Sequence, residues 1–280
     1  MKWRLLSTIV LWSLVFAVLY LGNTTVALVV LAALSALAQY ESQTLLEKSG
    51  YRPWKIVPLL LGVILVLGAG LSPARGNLGW VLVWFCLALG LLSLAGKPAN
   101  LARLLGSTFA VAYVPDLMKY FALILRDFKD ACTNGDGLGL IIWVIAVAKF
   151  TDVGAFVLGS AIGRAKLAPT ISPGKTWEGV FGGLVLAAVV GGFGAQLAPS
   201  YLPIWLTPQL GAMIALPLAA AAILSDLAES ALKRCAGVKD SGRCIPGIGG
   251  ALDLIDSLLL AAPVAYYFFE YISRSQLTLK

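Results

Sequence analysis

Residues 239–257 read KDSGRCIPGIGGALDLIDS and gather Lys239, Asp240, Arg243, Asp253 and Asp256 around Gly242, Gly247, Gly249, Gly250 and Pro246. Just upstream, SDLAESALKR sets Asp226, Glu229, Ser230 and Lys233 at i, i+3, i+4 and i+7, which is one face of a helix. Carboxylates from the DLID pair brought near Asp226 repel one another unless a cation sits between them. Oxygen-only ligands of this kind suit magnesium, which takes a carboxylate or two and fills its shell with phosphate oxygens and water. The chemistry indicated is the handling of phosphates on a divalent ion. Simple solvation of a helix face, or the favourable dipole at an acidic first turn, accounts for the same residues without chemistry.

A second polar stretch, GRAKLAPTISPGKTWEG at 163–179, contains GKT. A Walker-type phosphate loop needs glycine five positions before Gly174, but Pro169 stands there and no strand is expected before it. What remains is a basic, proline-stiffened loop with Ser172, Lys175 and Thr176 leading into a helix at Trp177, a workable anion site. Lys149 and Asp152 are three apart, as are Asp116 and Lys119, so each pair shares a helix face. Ionisable residues inside an apolar span are costly and point to function, with mutual neutralisation as the bland reading. That reading suits Asp116 and Lys119 better.

The chain has no histidine, so imidazole bases, His ligands and Ser-His-Asp triads are excluded. Its four cysteines lack the close pairing of a zinc site and read as small buried thiols.

These residues must be positioned by membrane helices. The 280 residues are 59% hydrophobic and 12% charged, with mean hydropathy +0.88, too apolar for a soluble domain. The expected fold is an all-α integral membrane protein, a polytopic bundle of about nine transmembrane helices at 5–22, 24–40, 56–72, 77–95, 105–125, 138–160, 177–196, 203–224 and 253–272. The first apolar region is too long for a cleaved signal peptide. Three blocks are expected: an N-terminal hairpin with a polar interfacial connector (1–55), middle helices (56–137), and a catalytic region (138–280) carrying polar loops 161–176 and 225–252. With the N-terminus in the cytoplasm, only Arg75, Arg126, Lys129, Arg274 and Lys280 fall on the outer face, while Lys119 and Lys149 lie within spans. This asymmetry is what the positive-inside rule expects and puts the C-terminus outside and both polar loops inside. The net charge of +7 is then a topology signal, and no nucleic-acid partner is implied.

Over about 145–265 the sequence resembles the phosphatidate cytidylyltransferase (CDP-diacylglycerol synthase) family. That family's signature, S-x-x-K-R-x(4)-K-D-x-G-x(3)-P-G-H-G-G-x-x-D-R-x-D, is matched in register by Ser230, Lys233, Arg234, Lys239, Asp240, Gly242, Pro246, Gly247, Gly249, Gly250, Asp253 and Asp256. An upstream pattern, an aspartate-bearing span and then SP-x-KTWEG, is matched by Asp152, Gly154, Ser172, Pro173, Lys175, Thr176, Trp177, Glu178 and Gly179. The family's histidine and arginine are replaced by Ile248 and Leu254.

The resemblance implies an enzyme of a bacterial inner membrane that joins phosphatidic acid and CTP into CDP-diacylglycerol and pyrophosphate. It implies Mg2+ on Asp226, Asp253 and Asp256, with Asp226, Lys233, Arg234, Lys239 and Asp240 as catalytic residues. Asp152, Ser172, Lys175, Thr176, Ser230, Gly249 and Gly250 are implied in substrate binding, and a homodimer is left open. Two other readings stay open: a secondary transporter built on Lys149 and Asp152, and a non-catalytic relative suggested by Ile248 and Leu254; the pattern of a CDP-alcohol phosphotransferase, whose aspartate spacing is four rather than three, is absent.

Overall fold

The structure, a computed structural model, describes residues 24–72, 99–129, 131, 137–242 and 249–278, with side chains to 275. The expected spans 5–22 and 77–95, and Arg243, Pro246, Gly247 and Ile248, lie outside the described residues. The chain divides into two compact units, Met1–Leu123 with Leu232–Ile255, and Ile124–Ala231 with Asp256–Lys280.

In the first unit, α1 (Thr24–Lys48), α2 (Ile56–Leu71) and α3 (Ala99–Tyr113) pack together, and the start of α4 (Pro115–Asp127) belongs to the same unit. Helix α1 runs well past the expected end at residue 40, because ESQTLLEK is composed largely of good helix formers. Residues 41–48 are therefore helix rather than connector. The buried side of this end of the helix mixes Gln39, Glu41, Ser42 and Gln43 with Leu45 and Leu46, and Gln39 Nε2 donates to Pro58 O at 2.7 Å. The single span expected at 105–125 is two helices meeting at Val114, since Pro115 has no N–H to donate backwards. Asp116 and Lys119 pair on one face of α4, as their spacing predicts.

In the second unit, α5 (Leu138–Ile162), α6 (Trp177–Leu197) and α7 (Pro208–Cys235, to Ala231 in this unit) approach closely through glycine. A Cβ on Gly154 would lie 2.6 Å from Gly182 O, and one on Gly183 would lie 2.9 Å from Thr151 O. Gly191 and Gly211 stand in the same relation between α6 and α7, with Trp143 Nε1 donating to Gly191 O at 2.9 Å. Small residues at such contacts let backbones meet without a side-chain spacer.

An all-α fold needs one correction. Residues 161–176 close into an antiparallel hairpin of β1 (Lys166–Ala168) and β2 (Ser172–Thr176), turned at Ala168–Ile171 with Pro169 in the position that favours its fixed φ. A strand thus does precede Pro169, but it pairs antiparallel, and the missing glycine still excludes a Walker loop. The last apolar segment is also broken. It comprises α8 (Ala251–Ile255) and α9 (Leu258–Thr278), so Asp253 sits in α8 while Asp256 sits in the turn between them.

Among the described residues six segments are long and apolar enough to cross a membrane: Thr24–Lys48, Asn100–Asp127, Leu138–Ile162, Trp177–Leu197, Pro208–Cys235 and Ala251–Ser275. Ile56–Leu71 spans only about 24 Å at 1.5 Å per residue, short of the roughly 30 Å hydrocarbon core. The expected count of nine is not established, but the protein is a membrane protein.

Candidate active site

Three carboxylates converge in the second unit. Ligand oxygens of Asp226, Glu229 and Asp256 all lie within 4.8 Å of one another. Asp226 and Glu229 are three apart on α7, so the helix itself stacks them. Asp256 arrives from the α8–α9 turn, where the backbone is pinned: Ser225 Oγ donates to Asp256 O, and Leu260 N donates to Ser225 Oγ at 3.2 Å. Glu229 is fully buried, while Asp226 and Asp256 are partly open.

Two lysines face this group. Lys175, on β2, places Nζ 2.5 Å from Asp226 Oδ2. Lys149, on α5, lies 3.7 Å from Asp256 Oδ1 and 3.8 Å from Asp152 Oδ2, and donates to Ser257 Oγ at 2.9 Å. Lys149 and Lys175 therefore set two cations beside Asp152, Asp226 and Asp256.

The hairpin is held so that Lys175 reaches α7. Thr176 is the N-cap of α6 and is buried, its Oγ1 accepting from Gly179 N at 3.1 Å. Glu178 reaches back to accept from Ala165 N at 3.1 Å.

The signature segment is organised in the first unit. Asp253 accepts from Lys233 Nζ at 2.8 Å, from Ser241 N at 3.1 Å and from Gly250 N at 3.0 Å. Ser241 Oγ lies 2.8 Å from Asp253 Oδ2 and 3.1 Å from Glu41 Oε2. Gly249 has φ +124°, a conformation that L side chains rarely adopt.

A family model described as "Cytidylyltransferase family" matches residues 2–272. The chain belongs to the cytidylyltransferase family. It is 31% identical to the phosphatidate cytidylyltransferase of Synechocystis, over 95% of both chains. It is 32% identical to that of Staphylococcus haemolyticus, over 94% of this chain and 97% of the relative. With that of Haemophilus influenzae it shares 39% identity over 56% of this chain and 55% of the relative.

Against the family signature, this cytidylyltransferase-family chain brings Asp226, Asp256, Asp152 and Lys175 into one cluster. Lys233, Asp253, Gly249 and Gly250 are gathered in the other unit. Arg234, Lys239 and Asp240 are exposed, Ser230 and Ser172 are half-buried, and Leu254 lies half-buried in α8. Glu229 shares the Asp226 helix face, but nothing in the local sequence marks it as a ligand. Spacing along the helix pairs Lys149 with Asp152 alone, but Asp256 is just as near. Glu41 and Ser241 gave no signal beyond an acidic residue at the end of a span.

Proposed function

We propose that this chain transfers the cytidylyl group of CTP to phosphatidic acid, releasing pyrophosphate and leaving CDP-diacylglycerol in the membrane. The observation that carries this is the convergence of Asp226, Glu229 and Asp256 with Lys149 and Lys175, in a family whose members above are named for that reaction.

The nucleophile is an oxygen of the phosphatidate monoester, whose second pKa is near 6, so at pH 7 it needs no general base. Absence of histidine is therefore no obstacle. The oxygen attacks the α-phosphorus of CTP, the bond to the bridging oxygen breaks, and that oxygen leaves on pyrophosphate. The difficulty is bringing an anion to a triphosphate. In our reading Lys175 and Lys149 bind and orient phosphate oxygens beside the carboxylates, and Asp226 holds Lys175 in reach until substrate arrives; Lys233, Arg234 and Lys239 are the phosphate-binding cations that the family signature implies.

The chemistry of the donor set suits magnesium: three hard carboxylate oxygens lie within 4.8 Å of one another. Asp226, Glu229 and Asp256 would hold the ion, which when bound supplies charge neutralisation on the triphosphate. Asp253, whose carboxylate is taken up by Lys233, Ser241 and Gly250, is in our reading an organiser of the signature segment. In our reading the active-site loops and N-terminus face the cytoplasm, where CTP is found, with the C-terminus outside and the lipid tails in the bilayer, a reading supported by the asymmetry of lysine and arginine along the sequence. A homodimer is carried with this reading, to be checked by sizing the purified protein.

The test is formation of CDP-diacylglycerol from labelled CTP and phosphatidic acid by purified protein, with and without magnesium. Asp226→Asn or Asp256→Asn that retained magnesium-dependent turnover would overturn the site. Wild-type protein that bound CTP without turnover would identify a non-catalytic relative.

A further inference from the structure

Glu41 belongs to the first unit and to no signature motif, yet the signature segment closes around it. It is 2% exposed. Its Oε2 accepts from Leu252 N at 2.9 Å and from Ser241 Oγ at 3.1 Å. A Cβ on either Gly242 or Gly250 would run into its carboxylate. Two glycines of the signature are thus required by the volume of a side chain some two hundred residues earlier.

We propose that Glu41 is a positioning residue for CTP binding. Its carboxylate holds Ser241 and the start of α8 so that Lys239, Lys233 and Asp253 keep one arrangement. The proposal rests on the function proposed above. Ser241 is the hinge of the argument. Its single hydroxyl proton lies between two carboxylates, Glu41 at 3.1 Å and Asp253 at 2.8 Å, and only one of them can accept it at a time. Its backbone N–H also serves Asp253, which in turn binds Lys233. Exposed Lys239 and Asp240 come immediately before it in the chain. Whatever fixes Ser241 therefore fixes where the exposed cation begins.

Packing alone does not call for a glutamate here. A buried carboxylate is expensive to desolvate, and a neutral side chain of similar size would fill the space more cheaply. What an anion adds is strong, directional acceptance from a backbone N–H and a hydroxyl together.

The experiment uses the full-length protein in lipid nanodiscs, with CTP varied at saturating phosphatidic acid and magnesium. Glu41→Ala and Ser241→Ala should each raise KM for CTP by about tenfold or more, the scale expected of a misplaced binding group, with a smaller change in kcat. The double variant should be no worse than the poorer single, because both act through one path. Glu41→Gln keeps an oxygen for Leu252 N and Ser241 but loses the charge, and should recover only part of the loss. Thr44→Ala, on the same helix, is the control and should leave KM unchanged.

If Glu41→Ala lowers Tm while KM for CTP stays at the wild-type value, Glu41 is only structural and the proposal fails. If that variant does not fold, an unchanged KM in Ser241→Ala overturns it equally. A wild-type protein inactive with CTP and phosphatidic acid would instead overturn the functional reading on which this depends.

Discussion

Lys175 Nζ sits 2.5 Å from Asp226 Oδ2, so a cation already occupies one side of the carboxylate group proposed to bind magnesium. The pair has opposite effects on two observables. Lys175→Met removes a positive charge that opposes cation binding and also a donor to phosphate. Half-saturating magnesium should fall, while kcat/KM for CTP should drop by about a hundredfold, the scale of losing one preorganised donor. Magnesium titration of steady-state turnover reads both at once. A fall in rate with weaker magnesium dependence would place Lys175 elsewhere in the reaction.

Glu229 separates a metal group drawn from α7 and the α8–α9 turn from one built on the aspartates alone. It is fully buried, with oxygens close to those of Asp226 and Asp256. Glu229→Gln keeps the shape and removes the charge. Thermal unfolding of the wild-type protein should shift upward with magnesium, since a ligand that binds only the folded state stabilises it. In Glu229→Gln and Asp226→Asn that shift should vanish together. A full shift in Glu229→Gln would remove it from the ligand set.

Thr176 has two competing roles, and a conservative pair of variants resolves them. As the N-cap of α6, its hydroxyl is committed to Gly179 N. Thr176→Ala should cost about 1 kcal/mol of stability, the usual value of a lost cap. Thr176→Ser should restore it, and KM for CTP should stay near wild type in both. A KM that rose in Thr176→Ala without loss of stability would give the hydroxyl to substrate.

How much of this was legible follows from the range of each interaction. Lys149 with Asp152 and Asp116 with Lys119 were readable because helix geometry fixes neighbours at i+3. The meeting of Asp226 with Asp256 was readable from charge, since acids in an apolar chain need a common partner. The β1–β2 hairpin was not, because strands of three and five residues around Pro169 and Pro173 carry no period to detect. Helix α1 outran its apolar stretch because hydropathy ends at a membrane surface while helix propensity does not. Glu41 was out of reach altogether: nothing local to residue 41 announces a contact with Ser241 and Leu252.

Helices α5 and α6 carry Asp152 and the hairpin, and their closeness depends on Gly154 and Gly182. Gly154→Val puts methyl groups where Gly182 O now stands and should destabilise by about 1–3 kcal/mol, the usual cost of overpacking. Thermal unfolding in detergent measures it. A Tm equal to wild type would mean that these helices separate without consequence.

Lys149 is shared, and sharing makes a charge-balance prediction. Its ammonium serves Asp152 at 3.8 Å and Asp256 at 3.7 Å, so removing it leaves two acids facing Asp226 and Glu229 with less compensation. Lys149→Met should therefore lower both stability and turnover. Asp152→Asn alone removes a negative charge and leaves Lys149 wholly to Asp256, so its effect on stability should be smaller. The informative variant is the double. If the damage in Lys149→Met comes from uncompensated charge, adding Asp152→Asn removes one of the repelling groups and should recover part of the lost Tm, a coupling of about 0.5–3 kcal/mol for residues in one network. If Lys149 also binds phosphate, turnover stays low in the double variant although stability returns. Additive losses in both Tm and turnover would show that Asp152 and Asp256 do not draw on the same lysine.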